Sequence, residues 1–348
     1  MNTGVNEMNS QQSTPELPLE ILMDILETAA AISHDAAKTV SLVSSWARTL
    51  ALPYVFCTII LRRAPLTAVQ ISSATRSPSS PRMTLPRHLG QFVRNLWIES
   101  TSMTLATSDF DIFRICPNLE SVALKSAMFN ALAFQTMPMH RETGVARENM
   151  FPSSIRHITL IKHTLRNEWR CLVDLRAPNG NRFLHNITHL HMLDMRISQY
   201  VPHVFLPHLT HLAMPYLDLG NVLNRGALRL PDGVLEHRSL RMIVLTLDEK
   251  KYLRYPWYGV EHYSHQAQTD EKSPRRNFAD MKLHLQRADE RVYIVLWPEM
   301  GRDACQEWGM AARDGENIWD KALRSRNDKL YGGHLPNRSE RKVLTLLQ

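Results

Sequence analysis

The stretch ITHLHM, residues 187–192, decides the fold. Apolar side chains stand at its first, fourth and sixth positions, so in an extended chain Leu190 and Met192 share one face while His189 and His191 take the other. The same phrase recurs at Val93/Leu96/Ile98, Leu119/Val122/Leu124, Ile155/Ile158/Leu160, Leu209/Leu212/Met214 and Leu240/Ile243/Leu245. Six copies, counting that at Ile187/Leu190/Met192, predict six strands built alike. Two further strands are expected at residues 58–61 and 291–297, one leading into the series and one ending it.

The phrase resembles that of leucine-rich repeats, and starts separated by 26, 36, 32, 22 and 31 residues suit repeats whose return paths carry irregular insertions. The resemblance implies an α/β solenoid over residues 63–300 with one strand per copy and a protein-binding face. An ordinary α/β domain whose strands begin with a similar phrase is the alternative. Helical returns are expected at residues 109–115 and 164–175. The Ser-, Pro- and charge-rich stretches at about 72–86, 137–149 and 261–277 read as mobile insertions. Residues 301–348 are expected to hold capping helices, near 305–312 and 317–324, whose Trp308, Ile318, Trp319 and Leu323 close the open end of the solenoid; Trp297 is expected in the core.

The residues on either side of the central apolar position of each phrase should face away from the core. They form two rows, Asn95, Ser121, His157, His189, His211 and Met242, then Trp97, Ala123, Thr159, His191, Ala213 and Val244. In register, His157, His189 and His211 stand on adjacent strands about 4.8 Å apart. Such a row can contact a partner, or it can sense metal or acid. No carboxylate or thiolate recurs beside it, so no metal site is assigned, and Trp97, His157, His189, His191, His211 and Met242 are the candidates for contact with a target protein.

At the other end of the chain, residues 1–14 form a polar tail, and residues 17–30 (LPLEILMDILETAA) predict a helix with Pro18 in its first turn. Ile21, Leu22, Ile25, Leu26 and Ala29 form an apolar stripe that Leu19, Met23 and Ala30 widen beyond what burial on one side requires. The break at Ser33-His34-Asp35 supplies N-cap candidates, and residues 36–51 are expected as a second helix with Val43 and Ala47 on one face and Leu42 and Trp46 on another. A unit of this size rarely carries a sufficient core. Its surplus apolar surface either covers the remainder of the chain or meets a partner.

These residues, with Leu17-Pro18, Glu20, Leu42-Val43-Ser44 and Pro53-Tyr54-Val55-Phe56, resemble the F-box domains of the large fungal F-box-like families. The resemblance covers residues 15–62. It implies docking onto a Skp-family adaptor subunit, and through it a cullin, by Leu17, Pro18, Ile21, Leu22, Ile25, Val43 and Trp46. The segment RVYIVLWPEMG with Trp319 following in a helix is similar to the tail of such proteins. The implied function is substrate recognition for a Skp-cullin-F-box ubiquitin ligase. Two alternatives stay open: a scaffold outside any ligase whose N-terminal helices only cap the solenoid, and a metal- or pH-sensing binding protein that uses the histidine row.

The net charge of +7 is spread along the chain apart from Arg275 and Arg276, and no basic stripe with interleaved aromatics appears, so nucleic acid is not an expected partner. Cys57, Cys116, Cys171 and Cys305 make no CxxC pair. The amino terminus lacks the pattern of a secretory signal and no window is apolar enough to span a membrane, which leads to the expectation of a cytoplasmic or nuclear protein. There is no GxSxG elbow, phosphate loop or dinucleotide fingerprint, and pairs such as Asp109/Asp111 and Asp289/Glu290 fall at expected caps and turns. Neither catalysis nor a cofactor is expected of this chain.

Overall fold

The computed structural model describes residues 17–62, 85–99, 111–135, 153–161, 182–193, 202–216, 230–248, 282–298 without 284, and 302–327 without 314. The expected tail at 1–14, the insertions at 137–149 and 261–277, most of that at 72–86, and the helix at 164–175 lie outside those residues. The chain divides into two units, Met1–Val55 and Phe56–Gln348.

The first unit contains three helices, α1 (Leu19–Ile32), α2 (His34–Ser41) and α3 (Ser45–Val55). Pro18 precedes α1, and the Ser33 side chain accepts the Ala36 amide at 3.1 Å to start α2. Residues 36–51, expected as one helix, are interrupted. The Leu42 and Val43 amides tighten onto Thr39 and Val40, and Ser44 then caps α3 by accepting the Ala47 amide at 3.1 Å. A serine that can satisfy a free helix-start amide competes with helix continuation, and here it wins. The interior is small, made of Ala30, Ala37, Val40, Ala47 and Ala51 with Leu26, Ala29, Tyr54 and Val55 against it.

The second unit is α/β. Its eight-stranded sheet is open and wholly parallel, and each strand pairs with the next in chain order. The strands are β1 (Thr58–Leu61), β2 (Asn95–Ile98), β3 (Ser121–Leu124), β4 (His157–Leu160), β5 (His189–Met192), β6 (His211–Pro215), β7 (Met242–Leu247) and β8 (Val292–Leu296). Thus each of the six phrases supplies one strand, β2 to β7. Strand β1, read with the N-terminal segment in the sequence, pairs with β2 and belongs to the sheet.

Parallel pairing obliges every connection to travel back along the sheet. The returns hold α4 (Arg87–Gly90), α5 (Asp111–Ile115), α6 (Ser126–Gln135), α7 (Arg182–Asn186) and a 3-10 turn at Pro202–Phe205. Of these, α5 matches the expected helix at 109–115. The core lies between the returns and one sheet face, where Leu96, Val122, Ile158, Leu190, Leu212 and Ile243 meet Phe113, Phe129, Leu132 and Phe183.

Two backbone regularities accompany the phrase. The carbonyl just before or at the start of each strand region accepts two consecutive amides from the next copy: Cys57 from Arg94 and Asn95, Arg94 from Glu120 and Ser121, Glu120 from Arg156 and His157, Arg156 from Thr188 and His189, Thr188 from Thr210 and His211, Thr210 from Arg241 and Met242. In addition, the polar residue preceding the phrase often reaches back one copy. Asn118 donates to the Gln91 carbonyl at 2.7 Å, Ser154 to Leu119 at 2.6 Å, Asn186 to Ser153 at 2.8 Å and Ser239 to Pro207 at 2.9 Å. These side chains satisfy carbonyls that the turns leave outside the ladder.

The C-terminal helices α8 (Ala304–Arg313) and α9 (Ile318–Asn327) do not occupy the place expected of them. They lie on the second face of the sheet, α8 against β1 and β2 and α9 against β7 and β8, instead of closing its end. The apolar content of that face explains the difference. Ile60, Trp97, Ala123, Ala213, Val244, Tyr293 and Val295 point to it, and a parallel sheet with such residues on both sides is stable only when both are covered.

Candidate functional site

Two surfaces carry the residues that the sequence singles out. The first belongs to the three-helix unit. Thirteen large hydrophobic side chains are exposed among the described residues, and nine of them fall between Leu17 and Trp46, so the exposed apolar surface is concentrated there. Leu17, Ile21, Ile25 and Val43 are exposed, with Ile25 at 50%, and Leu22 is half-buried. Leu42, at the end of α2, is 79% exposed, and Trp46, in the first turn of α3, is 37% exposed. The unit's alanine interior is the reason. Small side chains let the three helices approach closely, which leaves the larger Leu, Ile and Trp residues at the periphery.

The second surface is the sheet face. The register places Asn95, Ser121, His157, His189, His211 and Met242 in one row and Trp97, Ala123, Thr159, His191, Ala213 and Val244 in the next, as the sequence phrases predict. What differs is access. Trp97 is 1% exposed, and its ring lies 5.5 Å from that of Trp308 on α8. His191 is buried under Trp297 at 4.7 Å, and Met242 is buried with Ile318 and Ala322 of α9. These three are corrected from target-contact candidates to packing residues. Trp308, Ile318 and Trp319 pack on the sheet face, while Leu323 is exposed.

Polar contacts fix both helices in place. The Asn95 amide and the Thr58 hydroxyl both donate to the Ala312 carbonyl, at 2.9 and 3.0 Å, and so hold the last turn of α8 over β1 and β2. Glu307 of α8 is buried and pairs with Lys321 of α9 and with Arg302 at 3.2 Å. On β8, the Tyr293 hydroxyl accepts from Arg326 of α9 at 2.7 Å.

Between the footprints of the two helices the histidine row stays open. His157 is exposed, and His189 and His211 are half-buried. Ring centroids are 4.3 Å apart for His157 and His189 and 4.1 Å for His189 and His211, the latter pair stacked within 9° of parallel. Trp319 stands edge-on to both His189 and His211, 5.3 Å from each. Burial lowers the His189 pKa to about 3, with the neighbouring His157 and His211 acting in the same direction. His211 is lowered by burial, then by His157 and Arg241; His157 is lowered by burial, against the opposing influence of Glu120 and together with Arg156. All three shifts favour the neutral imidazole.

Hydroxyls orient two of these rings. The Thr210 hydroxyl donates to the Thr188 carbonyl at 3.1 Å and lies 2.8 Å from Nδ1 of His211. Having spent its one hydrogen, that oxygen can only accept from the ring, which places the imidazole hydrogen on Nδ1. The Thr188 hydroxyl likewise lies 2.8 Å from Nδ1 of His189, with the Arg156 carbonyl farther off at 3.4 Å. Parallel stacking points the remaining lone pairs alongside each other instead of toward one centre, and no group of three or more metal-ligating side chains is present among the described residues.

The Asn and Ser side chains that reach back between copies are the structural residues that the sequence reading missed. A polar residue immediately before the first apolar position of the phrase, as in Asn118-Leu119, Ser154-Ile155, Asn186-Ile187 and Ser239-Leu240, was the available signal. No helix among the described residues is long and apolar enough to cross a membrane. Compared with known proteins, the chain matches no family model and no curated protein.

Proposed function

We propose that this chain is a non-enzymatic adaptor: its N-terminal helices dock a Skp-family subunit of a cullin-based ubiquitin ligase, and its repeat unit holds a target protein. One observation carries the reading: the positions that the F-box resemblance implicates, Leu17, Pro18, Ile21, Ile25, Val43 and Trp46, are all exposed on a unit whose interior is alanine. Isolated exposed hydrophobics are ordinary, and nine of them within 30 residues support the reading of this unit as an interaction module. Leu22 is half-buried and completes the set. The scaffold alternative requires Leu22 and Trp46 to be buried in the free protein.

For the second unit, one strand per phrase, the doubly accepting carbonyls and the Asn/Ser side chains reaching between copies support a divergent leucine-rich-repeat solenoid. Its work is positioning, which raises the effective concentration of target lysines near a ubiquitin carrier. With Trp97, His191 and Met242 buried, target contact on the sheet face falls to His157, His189 and His211. Co-purification of the tagged chain with its host's Skp-family subunit tests the docking step. Wild type should retain the subunit and a folded Leu17→Ala, Pro18→Ala, Leu22→Ala variant should lose it; no retention by wild type would put the scaffold reading first.

A further inference from the structure

We infer that the row His157, His189, His211, with Trp319 set against two of its rings, is an acid-sensitive latch for α9: protonation of the row releases the C-terminal helix from β5–β8. The three imidazoles sit on adjacent strands with centroids 4.3 and 4.1 Å apart, so two neighbouring rings cannot both carry charge without strong repulsion. His189 is the central ring and meets both others. The Thr210 hydroxyl, which donates to the Thr188 carbonyl, keeps the His211 hydrogen on Nδ1, so a second proton on that ring enters at Nε2. Trp319 stands edge-on to both rings, 5.3 Å from each. A charged row is accommodated only if the rings turn outward into water, and α9 is what stands in the way.

Among the described residues, no anion offsets charge on His189 or His211. Glu120, beside β3, favours protonation of His157 alone and lies 3.3 Å from Arg94, while Arg156 and Arg241 oppose protonation of His157 and His211. On α9, Lys321 is paired with Glu307, Arg324 with Glu316, and Arg326 with the Tyr293 hydroxyl; Asp320 is exposed in the first turn. The depressed pKa values of all three histidines agree with this arrangement. Release of α9 uncovers Met242, Val244, Tyr293 and Val295, giving the sheet face an apolar surface in acid that it lacks at neutral pH. This inference is independent of the docking of the N-terminal helices.

Hydrogen exchange on the full chain, corrected for the intrinsic pH dependence of exchange, tests the latch between about pH 7.5 and pH 5. Amides of α9 should lose protection by about tenfold or more beyond any loss they share with those of β3 and α6. The logarithm of α9 protection should change by at least about one per pH unit below about pH 6, since release takes up protons. In a His157→Gln, His189→Gln, His211→Gln variant the α9 amides should exchange alike at both pH values. Unchanged or increased α9 protection in wild type, a loss from β3 and α6 as large as that from α9, or an α9 loss in excess of theirs that persists in the variant overturns the inference. Should the variant not fold, the proton slope in wild type decides alone, a slope near zero being fatal to it.

Discussion

Trp97 on β2 and Trp308 on α8 pack with ring centroids 5.5 Å apart and planes tilted by 58°, joining residues more than two hundred positions apart in the chain. The contact converts a sheet face that the repeat pattern alone would leave open into a covered one. Trp97 Nε1 donates to Glu99 at 3.1 Å, so the indole is satisfied without a partner protein.

Trp308→Ala removes the larger part of this cover and should destabilise the second unit by about 3–5 kcal/mol, the range for a buried tryptophan truncated to alanine. Met310→Ala, on the same helix but at an exposed position, should change stability by less than about 0.5 kcal/mol. Urea unfolding of both variants checks the contrast. Equal effects would mean that α8 is not seated on Trp97.

Two glycines mark close approaches of different kinds. A Cβ on Gly309 would lie 2.7 Å from Cδ1 of Ile60, the far end of a side chain that can turn aside. A Cβ on Gly90 would lie 2.2 Å from the Ile115 carbonyl oxygen, which belongs to backbone. Gly309→Ala should therefore cost about 1 kcal/mol and Gly90→Ala about 3 kcal/mol or more, since overpacking against backbone has no local relief. Thermal unfolding of the two variants would rank them, and the reverse order would contradict the packing described.

For the three-helix unit, exposure and binding should separate cleanly. Ile21→Glu and Ile25→Glu replace exposed side chains and should alter stability by no more than about 0.5 kcal/mol. If they sit at the centre of a docking surface, each should weaken binding to a Skp-family subunit by about 2 kcal/mol, roughly thirtyfold. Ala47→Glu, in contrast, buries a charge in the alanine interior and should unfold the unit. Retained binding by either isoleucine variant would remove α1 from the interface.

The strands were legible because each copy of the phrase alternates sides, and Leu190 against His189 and His191 sets the register of its neighbours. The cover on the sheet face was harder to read. Its signal lay in β7 and β8, where MIVLTL and VYIVL are apolar on both sides, but Trp308 and Trp319 lie too far along the chain for periodicity to assign them a face. In the first unit, the break at Leu42 and Val43 was hidden by an unbroken helical pattern of apolar residues, and Ser44, a competing cap within that pattern, was the deciding residue.

His191 gives a pH dependence of stability with a defined sign. It is buried, its ring meets Trp297 at 4.7 Å, and its Nε2 has no hydrogen-bond partner among the described residues. Burial lowers its pKa to about 3. In the unfolded chain the same side chain titrates near 6.5, so between those values the unfolded state binds the extra proton and acid favours unfolding. The contribution of His191 is fully present above about pH 6.5 and is lost by about 1.4 kcal/mol per pH unit as the pH falls. His191→Leu removes that loss along with the unpaired nitrogen. On going from about pH 7 to pH 5, the variant should gain about 2 kcal/mol relative to wild type in urea unfolding. A stability difference that does not change with pH would show that His191 takes up its proton without leaving the folded state, and that the space beneath Trp297 admits water.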